Sequence, residues 1–252
     1  MNTAHHFKTP PHFRVAGRFH PISYAGRFNA RTRFIPAMLA LVALSCSPKK
    51  VNVDSTNVRE VLTQYGRENP ETQLVIRTKL GDMRIALYQD TPLHRANFVR
   101  LIKQGYFDQA EFYRVISGFA IQGGDQRNKE NFLIPAEFTP GHFHKKGALA
   151  MARFDEGNPA KASTPTEFYI VHGERYTEEN LREDEAEYGI AASPEQRKAY
   201  TTLGGNMELD GKYTVFGEVT QGLDVIDRIA GVRVNGERPV QKIPLTIELS
   251  DR

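Results

Sequence analysis

The chain has 252 residues, 40% apolar and 25% charged, an ordinary globular composition at a length that suits one domain with extra segments. Its net charge of +3 is unevenly spread: residues 1–45 carry six basic side chains and no acidic one, which leaves 27 basic and 30 acidic residues, a net of −3, in the remainder. That mildly acidic remainder, where aromatic and basic residues do not interleave, excludes a nucleic-acid-binding role, and a single cysteine excludes a disulfide framework.

The run "FIPAMLALVALSC" (34–46) follows the basic stretch with about ten apolar residues and small residues before Cys46, the marks of an export signal too short to span a membrane. A cysteine directly after "VALS" resembles the lipobox of bacterial lipoproteins. The resemblance implies cleavage before Cys46 and acylation of its thiol, with residues 1–45 as leader. Residues 46–72, "SPKKVNVDST" and then an amphipathic patch at Val58, Val61, Leu62 and Tyr65, read as a lipid-anchor tether with one or two helical turns.

Strand signals begin at residue 73. In "TQLVIRTKLGDMRIALYQD" the alternations Leu74, Ile76 and Met83, Ile85, Leu87 flank a turn at Leu80-Gly81-Asp82, which predicts a hairpin. "TPLHRANFVRLIKQGYF" reads as a helix, with Thr91 as N-cap, Pro92 at the first position and Gly105 as the stop. Short strands are expected over 112–116, 119–122, 148–152, 167–171, 213–219 and 243–249, a pattern that suits an antiparallel barrel or sandwich. Between them "ERYTEENLREDEAEYGIAASPEQRKAY" (174–200) holds seven acidic residues from Glu174 to Glu187 and reads as two solvated helices inserted between strands.

Most chemistries find no footing. His142 and His144 are a possible ligand pair, but no third ligand has convincing spacing, so a solvated loop is the expectation and no metal is assigned. "GGDQ" and "LGGN" lack the context of a phosphate-binding loop, and there is no nucleophile elbow. The stretch "EFYRVISGFAIQGGD" (111–125) differs, since it sets Arg114 in an apolar strand. Arg114, Ala120 and Gln122 share a face if the break at Ser117-Gly118 preserves parity, and Phe119 joins them if that break twists the chain. Glu167, Tyr169 and Val171 share a face of "TEFYIV". Polar groups beside apolar rings describe a shallow pocket with a few directing donors. The same pattern fits an arginine paired with a carboxylate as scaffolding, and strand pattern alone leaves both readings open.

"FYRVISGFAIQGGD" closely resembles the signature segment of the cyclophilins, commonly F-H-R-V-I-x-G-F-M-x-Q-G-G-D. "GALAMAR" (147–153), "TEFYIV" (166–171) and "LDGKYTVFGEVTQGLDVID" (209–227) match further in the same order. The lipobox and the acidic insertion also resemble those of lipid-anchored cyclophilins from Bacteroidetes-type bacteria. The resemblance implies an eight-stranded antiparallel closed barrel capped by helices over 73–252, with the insertion at about 174–204. It also implies peptidyl-prolyl cis–trans isomerase activity, with no cofactor, on proline-containing polypeptides.

Position by position, Arg114 would act on the prolyl amide, oriented by Gln122. Phe119, Ala120, Tyr169 and Leu209 would line the proline pocket, with Tyr213 at a position usually held by histidine. Ala152 and the backbone of Arg153 would take the residue before proline. Several residues depart from the family pattern: Ala120 replaces methionine and widens the pocket, and Glu167 replaces glutamine and brings a charge near Arg114. Glu208 stands where eukaryotic members carry the tryptophan that contacts cyclosporin, so weak cyclosporin inhibition is expected. The chain is expected to be a monomer in the bacterial cell envelope. It would face the periplasm, because Ser47-Pro48-Lys49-Lys50 lacks acidic residues associated with surface display. A proline-peptide-binding chaperone module with feeble catalysis is the alternative, suggested by Glu167 and Ala120.

Overall fold

The computed structural model describes residues 51–250 apart from 126 and 128; the leader and Cys46 with its expected acylation lie outside the described residues. Eight antiparallel strands close into a barrel: β1 (Gln73–Thr78), β2 (Gly81–Leu87), β3 (Glu111–Ile116), β4 (Ala120–Gly124), β5 (Ala148–Met151), β6 (Glu167–Val171), β7 (Val215–Gln221) and β10 (Ile243–Leu249). Around the barrel the order is β1-β10-β3-β4-β6-β5-β7-β2. A separate two-stranded hairpin, β8 (Val234–Asn235) and β9 (Arg238–Pro239), lies against β3. The expected barrel is therefore present.

Strand alternation decides which side chains meet. Leu74, Ile76, Met83, Ile85, Phe112, Ile121, Phe168, Ile170 and Phe216 point into one buried core. Helix α2 (Pro92–Lys103) and helix α5 (Leu223–Ala230) pack onto it through Phe98 and through Val225, Ile226 and Ile229. The ring of Phe98 meets Phe168 edge-on at 5.4 Å and Phe216 at 5.2 Å between centroids, a preferred aromatic geometry. Helix α5 begins with the segment "LDVID" (223–227), which carried no helix expectation.

Two expectations are met only in part. Thr91 sits at the N-cap of α2, yet its hydroxyl makes no cap bond there. The Glu137 carboxylate instead accepts the N–H groups of Leu93 and His94, each at 3.0 Å. A negative charge suits the positive end of a helix, so a residue far along the chain supplies the cap. The tether expectation falls short as well. Residues Val58–Glu68 form a helix of three turns, α1, whose Val58 and Leu62 are buried against Leu93 and Ala96 of α2. Gly66 permits this approach, since a Cβ there would stand 3.0 Å from that of Ala96. Arg95 then donates to the Gly66 and Asn69 carbonyls at 3.1 and 3.0 Å, closing the C-terminal end of α1.

The insertion forms two helices as expected, α3 (Glu178–Tyr188) and α4 (Pro194–Thr202). They begin at Thr177, whose hydroxyl accepts the Asn180 N–H, and at Ser193, which forms a reciprocal capping box with Gln196. They are only partly solvated: Leu181, Ala199 and Tyr200 pack with Phe143 and Met207 into a small core of their own.

Candidate active site

The outward faces of β4, β5 and β6 carry a second apolar cluster on the barrel's exterior. Ala120, Ala150, Ala152 and Tyr169 form its floor, with Leu209 and Val215 beside them. Phe119 and Tyr213, both half-buried, stand over it. Strand pairing builds this directly, because Arg114 lies opposite Gln122 and Gln122 opposite Tyr169. At Gly118 φ is +79°, a left-handed conformation that glycine adopts without penalty. The turn it makes brings Phe119 under Arg114, whose guanidinium carbon sits 5.8 Å from the ring centroid. The expected twist at Ser117-Gly118 is thus observed: Phe119 reaches the side of Arg114 and Gln122, and it packs with Ala120, Tyr169, Leu209 and Tyr213 in one cluster.

Arg114 is about a third exposed, at 36% for its side chain. Its Nε donates to Glu237 Oε2 at 2.6 Å and one terminal nitrogen to Glu237 Oε1 at 3.3 Å. The other terminal nitrogen donates to Gln122 Oε1 at 3.2 Å, and Gln122 Nε2 donates to the Tyr113 hydroxyl at 2.7 Å. The Arg114 bonds hold the Glu237 carboxyl below the usual carboxylate range. The charge expected at Arg114 from Glu167 thus comes from Glu237: among the described residues, Glu237 is the only carboxylate ion-paired with Arg114. Glu167 lies opposite Gly124, and its carbonyl accepts the Ala152 N–H at 2.8 Å.

The far side of the cluster is built differently. The Tyr169 hydroxyl lies 3.0 Å from His144 Nε2, and His144 Nδ1 lies 2.8 Å from Asp210 Oδ1. Asp210 also accepts the His144 backbone N–H at 2.8 Å and the Tyr200 hydroxyl of α4 at 2.5 Å. Burial pushes the Tyr169 phenol well above its ordinary range, so it stays a neutral hydrogen-bonding group. This corrects the solvated-loop expectation for His144, which is buried and fully engaged. His142 stacks on Tyr88 at 3.8 Å and pairs with Asp90 instead. Among the described residues no three metal-capable side chains converge.

Arg153 is held over Tyr213, with 4.5 Å from guanidinium to ring centroid, and donates to the Lys212 carbonyl at 2.8 Å. The Tyr213 hydroxyl donates to Asp155. Tyr113, Glu237, His144, Asp210 and Tyr200 carried no site assignment from the sequence. Only Glu237 had a local signal, the Asn235-Gly236 pair that marks a tight hairpin turn.

The family model "Cyclophilin type peptidyl-prolyl cis-trans isomerase/CLD" matches residues 73–248. A curated relative from Staphylococcus saprophyticus, named for peptidyl-prolyl cis-trans isomerase activity, is 32% identical over 73% of this chain and 96% of its own length. A relative from Streptococcus pyogenes, named as a bifunctional phosphatase/peptidyl-prolyl cis-trans isomerase, is 33% identical over 71% of this chain. The match spans only 39% of that longer protein. A crystal structure of a Cryptosporidium parvum cyclophilin type peptidyl-prolyl cis-trans isomerase superposes with a TM-score of 0.55 at 20% identity, covering 72% of this chain and 99% of that one. A second structure of that protein was determined in the presence of the dipeptide Ala-Pro, again with a TM-score of 0.55.

Proposed function

The chain belongs to the cyclophilin-type peptidyl-prolyl cis–trans isomerases, and on that premise we propose that Arg114 accelerates X-Pro rotation by stabilising the twisted amide. Rotation about an X-Pro bond crosses a barrier of roughly 20 kcal/mol and takes tens of seconds unaided. No bond is made or cut, so the site must hold the twisted amide more tightly than the planar one. Twisting ends the resonance and leaves a lone pair on the prolyl nitrogen. Arg114, permanently charged, donates to it, in a setting where apolar neighbours strengthen the bond.

The observation that carries this reading is the placement of Arg114 at the edge of the Phe119, Ala120, Tyr169 and Leu209 cluster, held by Gln122. The proline ring would rest on that cluster, with Tyr213 as its far edge, and the backbone of Arg153 beside Ala152 would bind the residue before proline. A rate gain on the order of 10⁵ requires about 7 kcal/mol of differential stabilisation. A protease-coupled assay with a proline tetrapeptide tests this. Arg114→Ala should remove most of the acceleration, and an unimpaired variant would sink the mechanism.

The substrates we assign are proline-containing segments of exported polypeptides during folding in the cell envelope. Acylation of Cys46 would hold a monomeric enzyme at the membrane, facing the periplasm. A mass spectrum of the mature protein lacking a diacylglyceryl adduct on Cys46 would remove that part. The ion pair already occupying Arg114 favours one second reading, a proline-peptide-binding module with feeble turnover. Binding of the tetrapeptide without acceleration in the same assay would select it.

A further inference from the structure

We propose that Glu237 is a positioning residue for the isomerase reaction, fixing the guanidinium of Arg114 so that its remaining donors face the substrate. The proposal rests on the reading of Arg114 given above. Its observations lie in how the hairpin meets β3. Strand β10 pairs with β3 only at Ile243↔Phe112 and Pro244↔Glu111, which leaves the rest of that edge of β3 without a barrel partner. The β8–β9 hairpin fills the gap: the Glu237 carbonyl accepts the Val115 N–H at 2.7 Å, one residue beyond Arg114. The backbone of Glu237 is therefore anchored to the barrel independently of its side chain.

That anchor places the carboxylate along one edge of the guanidinium. Oε2 takes the Nε hydrogen at 2.6 Å and Oε1 one hydrogen of a terminal nitrogen at 3.3 Å, the two-point geometry for which arginine and a carboxylate are matched. Gln122 Oε1 takes a hydrogen from the other terminal nitrogen at 3.2 Å. An arginine has five N–H donors in a planar fork. Three are engaged among the described residues, and each terminal nitrogen retains one. A long side chain with 36% of its surface exposed would otherwise sample several rotamers. Contact with Glu237 on one edge, Gln122 on the other and the Phe119 ring beneath defines the plane in which the two remaining donors lie. Only well-oriented donors contribute fully to a transition state.

The test uses the full chain and compares Glu237→Ala, Glu237→Gln and Arg114→Ala. Glu237→Ala should lower kcat about five- to tenfold with KM changed less than twofold, and Glu237→Gln, which keeps an acceptor, should recover at least half of that loss. The Nε–H resonance of Arg114 should be sharp in the wild type and broadened in Glu237→Ala. Thermal unfolding should shift by less than about 4 °C, because an exposed ion pair contributes little. Unchanged or faster turnover in Glu237→Ala, or loss expressed wholly in KM, would overturn the positioning role. If Arg114→Ala itself turned over normally, the underlying reading of the site would fall, a result separate from either outcome at Glu237.

Discussion

The two walls of the exterior cluster both carry polar groups, yet they are held by opposite means. On one side Arg114 is partly exposed and ion-paired to a carboxylate whose side chain is 56% exposed, across a short hairpin. On the other, Tyr169 and His144 are buried, the Asp210 side chain is only 8% exposed, and the three are hydrogen-bonded in series to Tyr200 of the insertion. An exposed pair adds little to stability, so it can orient the arginine without being needed to hold the fold. A buried series is different, because each member left unpaired costs about 1–3 kcal/mol. On the proposed reading the contrast separates functions: the Arg114 wall carries reactivity with little stability, and the Tyr169 wall carries stability with little reactivity.

The strongest way to break that division is at its two centres. Arg114→Ala should lower kcat/KM by about 10² to 10³, the usual effect of removing one preorganised donor. Its unfolding free energy, measured in denaturant, should change by less than about 1 kcal/mol. Asp210→Ala should do the reverse, destabilising the fold by about 3 kcal/mol because the His144 ring and Tyr200 lose their acceptor. Its turnover, assayed well below its unfolding temperature, should stay within about threefold.

Subtler changes sharpen the comparison. Tyr169→Phe keeps the ring in the pocket and removes only the bond to His144, so a loss of about 1–2 kcal/mol in stability is expected. Combined with Arg114→Ala, its effect should add within about 0.5 kcal/mol; a larger coupling would show that the walls act as one. The smallest effect concerns acid. The Glu237 carboxyl is held below its ordinary value, so the pair contributes above that value and is lost as pH falls through the lowered one. Gln122 and Phe119, the other neighbours of Arg114, do not titrate. The Arg114 Nε–H resonance should therefore be constant from pH 8 to 5 and disappear only in stronger acid. A change centred near neutrality would contradict the ion pair.

The division between the walls also separates what could be read from the sequence from what could not. Residues 111–125 lie on two adjacent strands, so alternation together with a break that keeps parity places Arg114, Ala120 and Gln122 on one face. Glu237 stands 123 residues from Arg114, and Asp210 stands 66 from His144. No local periodicity reports a contact across such separations. His142-Phe143-His144 illustrates the difficulty, since the same three residues suit a wet loop or a buried hydrogen bond, and only Asp210 and Tyr169 decide. In α1 the spacing of Val58 and Leu62 was visible, but its docking depends on Gly66 and Arg95, which look unremarkable in a polar stretch. The insertion helices were legible because their caps, Thr177 and Ser193-Pro194, act locally.

The closure of the barrel bears on the company this protein keeps. Every one of its eight strands has a neighbour on both sides, and the one short pairing, between β10 and β3, is covered by the β8–β9 hairpin. Unfolded polypeptides carry unpaired backbone that readily adds to an exposed sheet edge. The barrel offers them no such edge. On the proposed reading a client chain is left with the contacts it makes at the exterior cluster as its means of adhesion, and it can leave as soon as its proline does.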